Sequence, residues 1–238
     1  MLAAVFACIC AVSSLTAQTE PESPALPPEK PVNGFQISVY SGVALNVFSG
    51  GYFAPGNRNF IAEESSFNTP VGAWMNIPVF DDIAIYLRAG WQGTQTVFFA
   101  GRQDSLRTAA GYGEIGDELT LRYGLFHLDV LLRLIGRQDG ERVFVGPSFG
   151  WARSRNVRVT ETEYGPGKTY LIEEGEFAGA TEMRTSIVIG AEYAFIPIKN
   201  LYIIPSLQVD YSPQKISSEH PLKMIMYKFL LSVSWQLF

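Results

Sequence analysis

The sequence predicts an all-β protein, a single up-and-down antiparallel transmembrane β-barrel of eight strands. Three observations predict it. Apolar and polar residues alternate one by one through eight successive segments after Gly34, the period of strands whose two faces meet different media. The apolar stripes carry no charge, although the chain holds 18 Lys and Arg and 23 Asp and Glu. The links between segments are short and long by turns, as in membrane barrels with tight turns at one end and long loops at the other.

Composition narrows the alternatives. Only 17% of residues are charged, below the roughly 25% usual for soluble domains. Yet no run beyond the N-terminus reaches the ~18 apolar residues that a spanning helix requires, so the hydrophobicity is held in alternation. A net charge of −5 lacks the basic stripe that nucleic acid demands. Cys8 and Cys10 are the only cysteines, and both lie in the N-terminal apolar run. With that run removed, neither a disulfide nor a cysteine metal site is expected, and no cofactor is expected.

Residues 1–17 form an expected signal peptide, an apolar core followed by Ser13, Ser14, Leu15, Thr16 and the small Ala17 before cleavage. The lesser alternative is a lipoprotein, with Val5-Phe6-Ala7 preceding Cys8. Residues 18–33 carry Pro21, Pro24, Pro27, Pro28 and Pro31 among Glu and Ser, a proline-rich leader that cannot pack a core. Residues 34–238 are the expected barrel.

The first segment sets Phe35, Ile37, Val39, Val43 and Leu45 against Gln36, Ser38, Tyr40, Gly42 and Asn46. The second sets Phe67, Val71, Ala73, Met75, Ile77 and Val79 against Asn68, Gly72, Trp74 and Asn76. In the third, Ile83, Ile85, Leu87, Ala89 and Trp91 oppose Tyr86, Arg88, Gly90 and Gln92. The fourth changes phase. Leu119, Leu121 and Tyr123 share one parity, and Phe126, Leu128, Val130, Leu132 and Leu134 the other. Either a β-bulge near Gly124 flips the faces, or Leu119 to Tyr123 stands above the membrane with its own pattern.

The fifth segment carries Val143, Val145, Phe149 and Trp151 on its apolar side, and the sixth Ile187, Ile189, Ala191, Tyr193 and Phe195. The seventh carries Leu201, Ile203, Leu207, Val209 and Tyr211, and the eighth Tyr227, Phe229, Leu231, Val233, Trp235 and Leu237. Pro147 and Pro205 fall within these stripes, where proline removes a ladder donor that local bulges could absorb.

Alternation alone does not say which face meets lipid. A Lys or Arg at mid-depth in lipid costs about 2–4 kcal/mol, so the charge-free stripe is the lipid face. The opposite face, rich in Gly, Ser and Ala, suits the narrow interior of eight strands. Short links near Asp81-Asp82, Gly136 to Glu141 and Pro197 to Asn200 alternate with long ones at Ser49 to Ser66, Phe99 to Gly116, Asn156 to Glu182 and Pro213 to Leu222. That parity predicts both chain ends in the periplasm. Phe67, Trp91, Trp151, Tyr211 and Tyr227 fall at the outer ends of stripes, and Phe35, Tyr193, Phe195 and Trp235 at the inner ends, as aromatic girdles do.

The signal, the eight alternating strands and a last strand running from Tyr227 to a terminal Phe238 resemble the small outer-membrane barrels of Gram-negative bacteria, in the group called outer membrane protein beta-barrel domain. The resemblance covers about 85% of the chain and is architectural. It implies outer-membrane lipid as surroundings and the barrel-assembly machinery as a partner during insertion, with the terminal aromatic as its signal. Leu237, Trp235 and Val233 stand out of phase with Phe238, a departure from the family pattern.

The inward face is expected to carry Arg88, His127, Asp129, Arg133, Arg184, Glu192, Asp210 and Lys228. Buried charges are costly unless paired, so these predict a salt-bridge network that plugs the lumen. Counting from the short turns pairs Arg88 with Asp129, and brings Asp210 near Arg184 and Lys228. His127 and Asp129, two apart on one face, could orient an imidazole for acid–base work. Some barrels of the resembling group are lipid A acyltransferases or deacylases, which makes a lipid-modifying enzyme the first alternative. No serine stands in a recognisable motif with this pair. A soluble small-ligand-binding barrel is the second alternative.

His220, before Pro221, is expected to be an exposed loop histidine. Gly165-Pro166-Gly167-Lys168 lacks the spacing of a phosphate loop and is expected to be a turn. Gly72-Ala73-Trp74 has the lipocalin Gly-Xaa-Trp form, but in the second strand. The leading expectation is a structural or surface-interaction barrel whose long outer loops meet an extracellular partner of unknown identity.

Overall fold

The computed structural model describes residues 34–54, 58–62, 65–99, 103–108, 111–135, 140–163 and 168–237. The expected signal peptide, the leader, Gly165 to Gly167 and Phe238 lie outside these residues. Eight long strands make the body. They are β1 (Gln36–Ala54), β2 (Val71–Phe80), β3 (Ile83–Phe99), β4 (Gly111–Ile135), β5 (Glu141–Glu163), β6 (Met183–Tyr193), β7 (Leu201–Tyr211) and β8 (Lys223–Gln236). Each pairs antiparallel with the next in the chain. The last then pairs with the first, from Gln36↔Gln236 to Ser49↔Lys223. The ring is closed, which removes the sheet edges that would otherwise invite pairing with other chains.

The predicted faces are the observed ones. Val39, Ile189, Phe229 and Leu231 point outward at 64%, 59%, 50% and 48% exposure, while Arg88, Asp129 and Arg133 on the other face are at most 1% exposed. The exterior is a charge-free apolar band, and the interior is polar at the same level. That combination defines the class as a membrane-spanning β-barrel.

The band ends part-way along the strands. Trp91, Phe126 and Trp151 stand opposite one another on β3, β4 and β5, with the Phe126 and Trp151 rings 6.2 Å apart. Beyond this row β4 turns Arg122, Thr120 and Glu118 outward and Leu125, Tyr123, Leu121 and Leu119 inward. Arg122 donates to Gln95 on the outer surface at 3.1 Å. The faces have exchanged character without a change of phase. The fourth-segment parity shift therefore comes from the second expected cause, a strand that rises out of the membrane. β4 itself has no bulge. The one register shift at this point, Gly124↔Ser154 followed by Leu125↔Ala152, places the extra residue, Arg153, on β5.

Two more expectations need correction. Three of the four long links are largely β-structure rather than loop among their described residues. β1 continues to Ala54 and pairs with Arg58–Ala62 and Ser65–Asn68. Gln103–Thr108 pairs with the start of β4, and Lys168–Glu176 with the end of β5. These stretches carry no charge-free apolar stripe in the sequence, so a search for lipid-facing stripes passes over them. Nor do the two prolines require bulges. Asp129↔Ser148 and Leu132↔Val145 keep one register on either side of a gap in the β4–β5 ladder at Pro147. The β6–β7 ladder stops at Glu192↔Ser206, just before Pro205. Each missing N–H falls where pairing to that neighbour is interrupted.

Glycine shapes the interior at one notch. Gly72 and Gly90 face each other across β2 and β3, and the Tyr40 side chain of β1 fills the space they leave. A Cβ at Gly90 would lie 2.0 Å from the Tyr40 hydroxyl, and one at Gly72 would lie 2.5 Å from it. Gly90→Val should therefore lower stability by about 1–3 kcal/mol through overpacking, seen as a lower urea midpoint of the detergent-solubilised barrel. An unchanged midpoint would show that Tyr40 is free to leave the notch.

Candidate functional site

Every predicted lumen residue is buried: Arg88, His127, Asp129, Arg133, Arg184, Glu192, Asp210 and Lys228. They do not form one network. A lower group lies at the end where the Asp81-Asp82 turn connects β2 and β3. There Arg133 of β4 is paired with Glu192 of β6 and donates to Asn76 at 2.8 Å. Arg142 of β5 approaches the same Glu192 carboxylate at 3.7 Å. The Arg133 guanidinium also lies 4.9 Å from the Trp74 ring centre and 4.8 Å from that of Tyr86, which shields its faces with aromatic carbon.

Above it comes an apolar layer of Trp74, Tyr86, Leu131, Phe144, Val188, Ile204 and Leu230. The upper polar group follows. Arg88 of β3 donates to Asp129 of β4 and to Gln208 of β7, each at 2.5 Å, so one guanidinium spans the barrel. Asp210 is shared between Lys228 at 3.5 Å and Arg184 at 3.7 Å. The two pairings counted from the turns, Arg88 with Asp129 and Asp210 with Arg184 and Lys228, are the contacts present.

His127 faces the Tyr40 hydroxyl at 3.0 Å through Nε2 and stands 4.0 Å from Asp129. The cavity beside it has a volume of about 10 Å³, the capacity of about one water molecule. That is far too little for an acyl chain, and His127 is 5% exposed. The imidazole is a member of the interior packing.

Sequence reasoning put Tyr40 on the inward face without a partner, and did not assign Arg142 or Gln208 to the interior network. The signal for Arg142 was present. It shares parity with Phe144, Gly146 and Ser148 on the inward face of β5, but sits next to the β4–β5 turn, where an exposed Arg is the ordinary expectation. Trp74 of the Gly-Xaa-Trp triplet packs inward, donating to Ser232 at 3.1 Å.

The predicted girdle residues Phe67, Trp91, Tyr193, Phe195, Tyr211, Tyr227 and Trp235 are exposed, while Phe35 and Trp151 are half-buried. Phe126 completes the Trp91–Trp151 row.

Beyond the row, the barrel is filled by Phe48, Tyr52, Phe60, Phe98, Leu119, Leu121, Tyr123, Val157, Phe177, Ile216, Leu222 and Met224. His220 belongs here, which corrects its assignment as an exposed residue: it is 7% exposed. Its ring lies 4.1 Å from Tyr52 and stacks on Phe177 at 5.8 Å. Its Nδ1 accepts from the Phe53 amide at 3.3 Å. The segment carrying it folds back over the mouth through Ser218 N–H to Gly179 C=O at 2.7 Å and Thr181 N–H to Ile216 C=O at 2.9 Å. Burial holds the His220 pKa below the ordinary imidazole value, against the opposing pull of Glu219 and Glu173.

No family model matches the chain, and no curated protein matches it. Among solved structures, it is similar to the attachment invasion locus protein Ail of Yersinia pestis, with 10% identity, 85% of this chain and 99% of that one covered, and a TM-score of 0.38. It is similar to the outer membrane protease OmpT of Escherichia coli at 8% identity, with 92% and 100% covered and a TM-score of 0.39. Neisserial surface protein A gives 11% identity, 86% and 97% covered, and a TM-score of 0.33. At these scores the likenesses assign neither family nor activity.

Two outcomes follow from the geometry. Asp129→Asn leaves Arg88 as a buried charge without its counterion and should cost about 3–5 kcal/mol, whereas Arg88→Met with Asp129→Leu should recover most of that loss. Urea titration in detergent reads both, and equal losses in the single and double variants would refute the pairing energy. Protonated His220 cannot accept from Phe53 N–H. With its folded pKa depressed, the cap is strongest above the ordinary value of about 6.5 and weakens as pH falls below it. Protection factors of the amides from Ile216 to Leu222, corrected for the intrinsic base-catalysed rate, should therefore fall between about pH 7.5 and pH 5, and His220→Phe should remove that dependence.

Proposed function

We propose that this chain is a closed outer-membrane barrel that anchors an extracellular β-structure, with a structural or surface-interaction role and a lumen plugged by its own side chains. The observation that carries the reading is the exchange of faces at the Trp91–Phe126–Trp151 row. Below it, apolar residues turn out and charges turn in, as hydrocarbon around the barrel requires. Above it, polar residues turn out and the core turns apolar, as water around it requires. One ribbon passes through both media. The lower end, with the tight Asp81-Asp82 turn and both termini of the ring at Gln36 and Gln236, is the periplasmic end in this reading. The ribbons beyond the row are extracellular, where they would meet an unidentified partner.

Three layers support the closed lumen: the Arg133–Glu192 group, the Trp74–Tyr86–Phe144 layer, and the Arg88–Asp129–Gln208 bridge. Eight strands leave room for little more than side chains. The surroundings are outer-membrane lipid, and insertion would depend on the barrel-assembly machinery.

A paired substitution tests the placement. Leu128→Arg, below the row, should destabilise the barrel by about 2–4 kcal/mol, while Arg122→Leu, two turns of the pleat above it, should be near neutral. In planar bilayers the unmodified protein should give no stable conductance steps. Release from cells without detergent, or steady open-channel current, would each overturn this function.

A further inference from the structure

Both interior groups hold one more cation than carboxylate, Arg133 and Arg142 sharing Glu192 in the lower one, and the upper group has a cavity beside it. Arg88 is matched by Asp129. Arg184 and Lys228, by contrast, share the single carboxylate of Asp210, and these three residues are 2%, 3% and 2% exposed in that order. Both contacts to Asp210 are long, 3.7 Å and 3.5 Å. Arg184 spends Nη2 on the Met224 carbonyl at 2.8 Å, and its Nε has no hydrogen-bond partner. Lys228 has three N–H donors against that one long contact. With Lys228 protonated, the group is left with one surplus positive charge inside a wall whose outer face is apolar.

An uncompensated buried ion costs several kcal/mol. Arg184 cannot relieve this by losing a proton. The small cavity lies at this point, and Arg184, Lys228, Asp210, Ser148, Ser186 and Gln92 are among its lining residues. Its volume of about 10 Å³ admits one species the size of a water molecule. A halide ion is of that order of size and takes N–H and O–H donors alone.

We propose that this cavity is a structural anion site that holds one small monovalent anion of the halide class, bound between Arg184 and Lys228 with serine hydroxyls beside it. The anion neutralises the surplus charge and completes the upper polar group. Asp210 lines the same cavity, and its carboxylate is held by both cations, at 3.7 Å from Arg184 and 3.5 Å from Lys228, so the anion is expected on the side of the cavity away from it.

The test uses the full chain folded in detergent. Crystals grown with bromide should show an anomalous peak between Arg184 Nε and Lys228 Nζ. At constant ionic strength, replacing gluconate by chloride should raise the thermal midpoint saturably, by roughly 3 °C for each tenfold of chloride above its dissociation constant. Lys228→Met removes the surplus charge and should abolish the chloride dependence, while Arg142→Gln in the lower group should retain it. If Lys228→Met does not fold, the bromide map of the unmodified protein decides. A water molecule at the site with no anomalous signal, or a midpoint indifferent to chloride, overturns the proposal and leaves Lys228 neutral in the folded barrel.

Discussion

In the proposed placement the medium outside this barrel changes from hydrocarbon to water along the length of single strands, and the rest of the structure follows from that boundary. A β-strand offers its two faces with period two and no other freedom. In lipid the outer face must be apolar, and the inner face is left to polar groups. In water the outer face must be polar, and the inner face supplies the core. β4 obeys both demands in one unbroken run, with Leu128 outward and Asp129 inward below Phe126, then Arg122 outward and Leu121 inward above it. No bulge on β4 is needed, because the residues change their chemistry while the backbone keeps its phase.

The polar interior below the row is therefore forced, and its organisation is the means of making it tolerable. Isolated charges in that space would be prohibitively costly, and pairs break even only when geometry and additional hydrogen bonds are good. The two groups meet this requirement differently. Arg133 has a carboxylate, an amide oxygen and two aromatic faces. Arg88 has a carboxylate and the Gln208 amide oxygen on the opposite wall. In each case the guanidinium fork ties strands that are not sequence neighbours, which sets the cross-section of the ring from within.

Much of this was legible in the sequence because membrane barrels repeat one rule many times. The ring of eight, the outward stripes and the Arg88–Asp129 pair all come from parity and from counting residues from a tight turn. What was not legible depended on information that parity does not carry. The extended ribbons at 58–62, 103–108 and 168–176 mix polar and apolar residues without a charge-free stripe, so nothing in parity marks them. His220 sits in a segment without secondary structure, and its burial depends on Tyr52 and Phe177, each more than forty residues away. Arg142 had the right parity, but its place beside a turn gave no sign that the carboxylate of Glu192 would reach it.

The apolar core above the row also separates the tasks of the two halves. Had polar side chains filled the barrel throughout, the outer ribbons would stand on a hydrated stem and gain little order from it. Instead Phe48, Phe98, Leu119 and Val159, all at most 1% exposed, make a hydrophobic core of the kind that stabilises soluble domains. The segment from Ser212 to Leu222 can then close over it with Ile216 and Leu222 fully buried. The half beyond the aromatic row has its own reason to fold, and the half below it carries it on the same continuous strands. A surface built in this way can vary on its outside without disturbing the charges below, because the aromatic row and the apolar core stand between them.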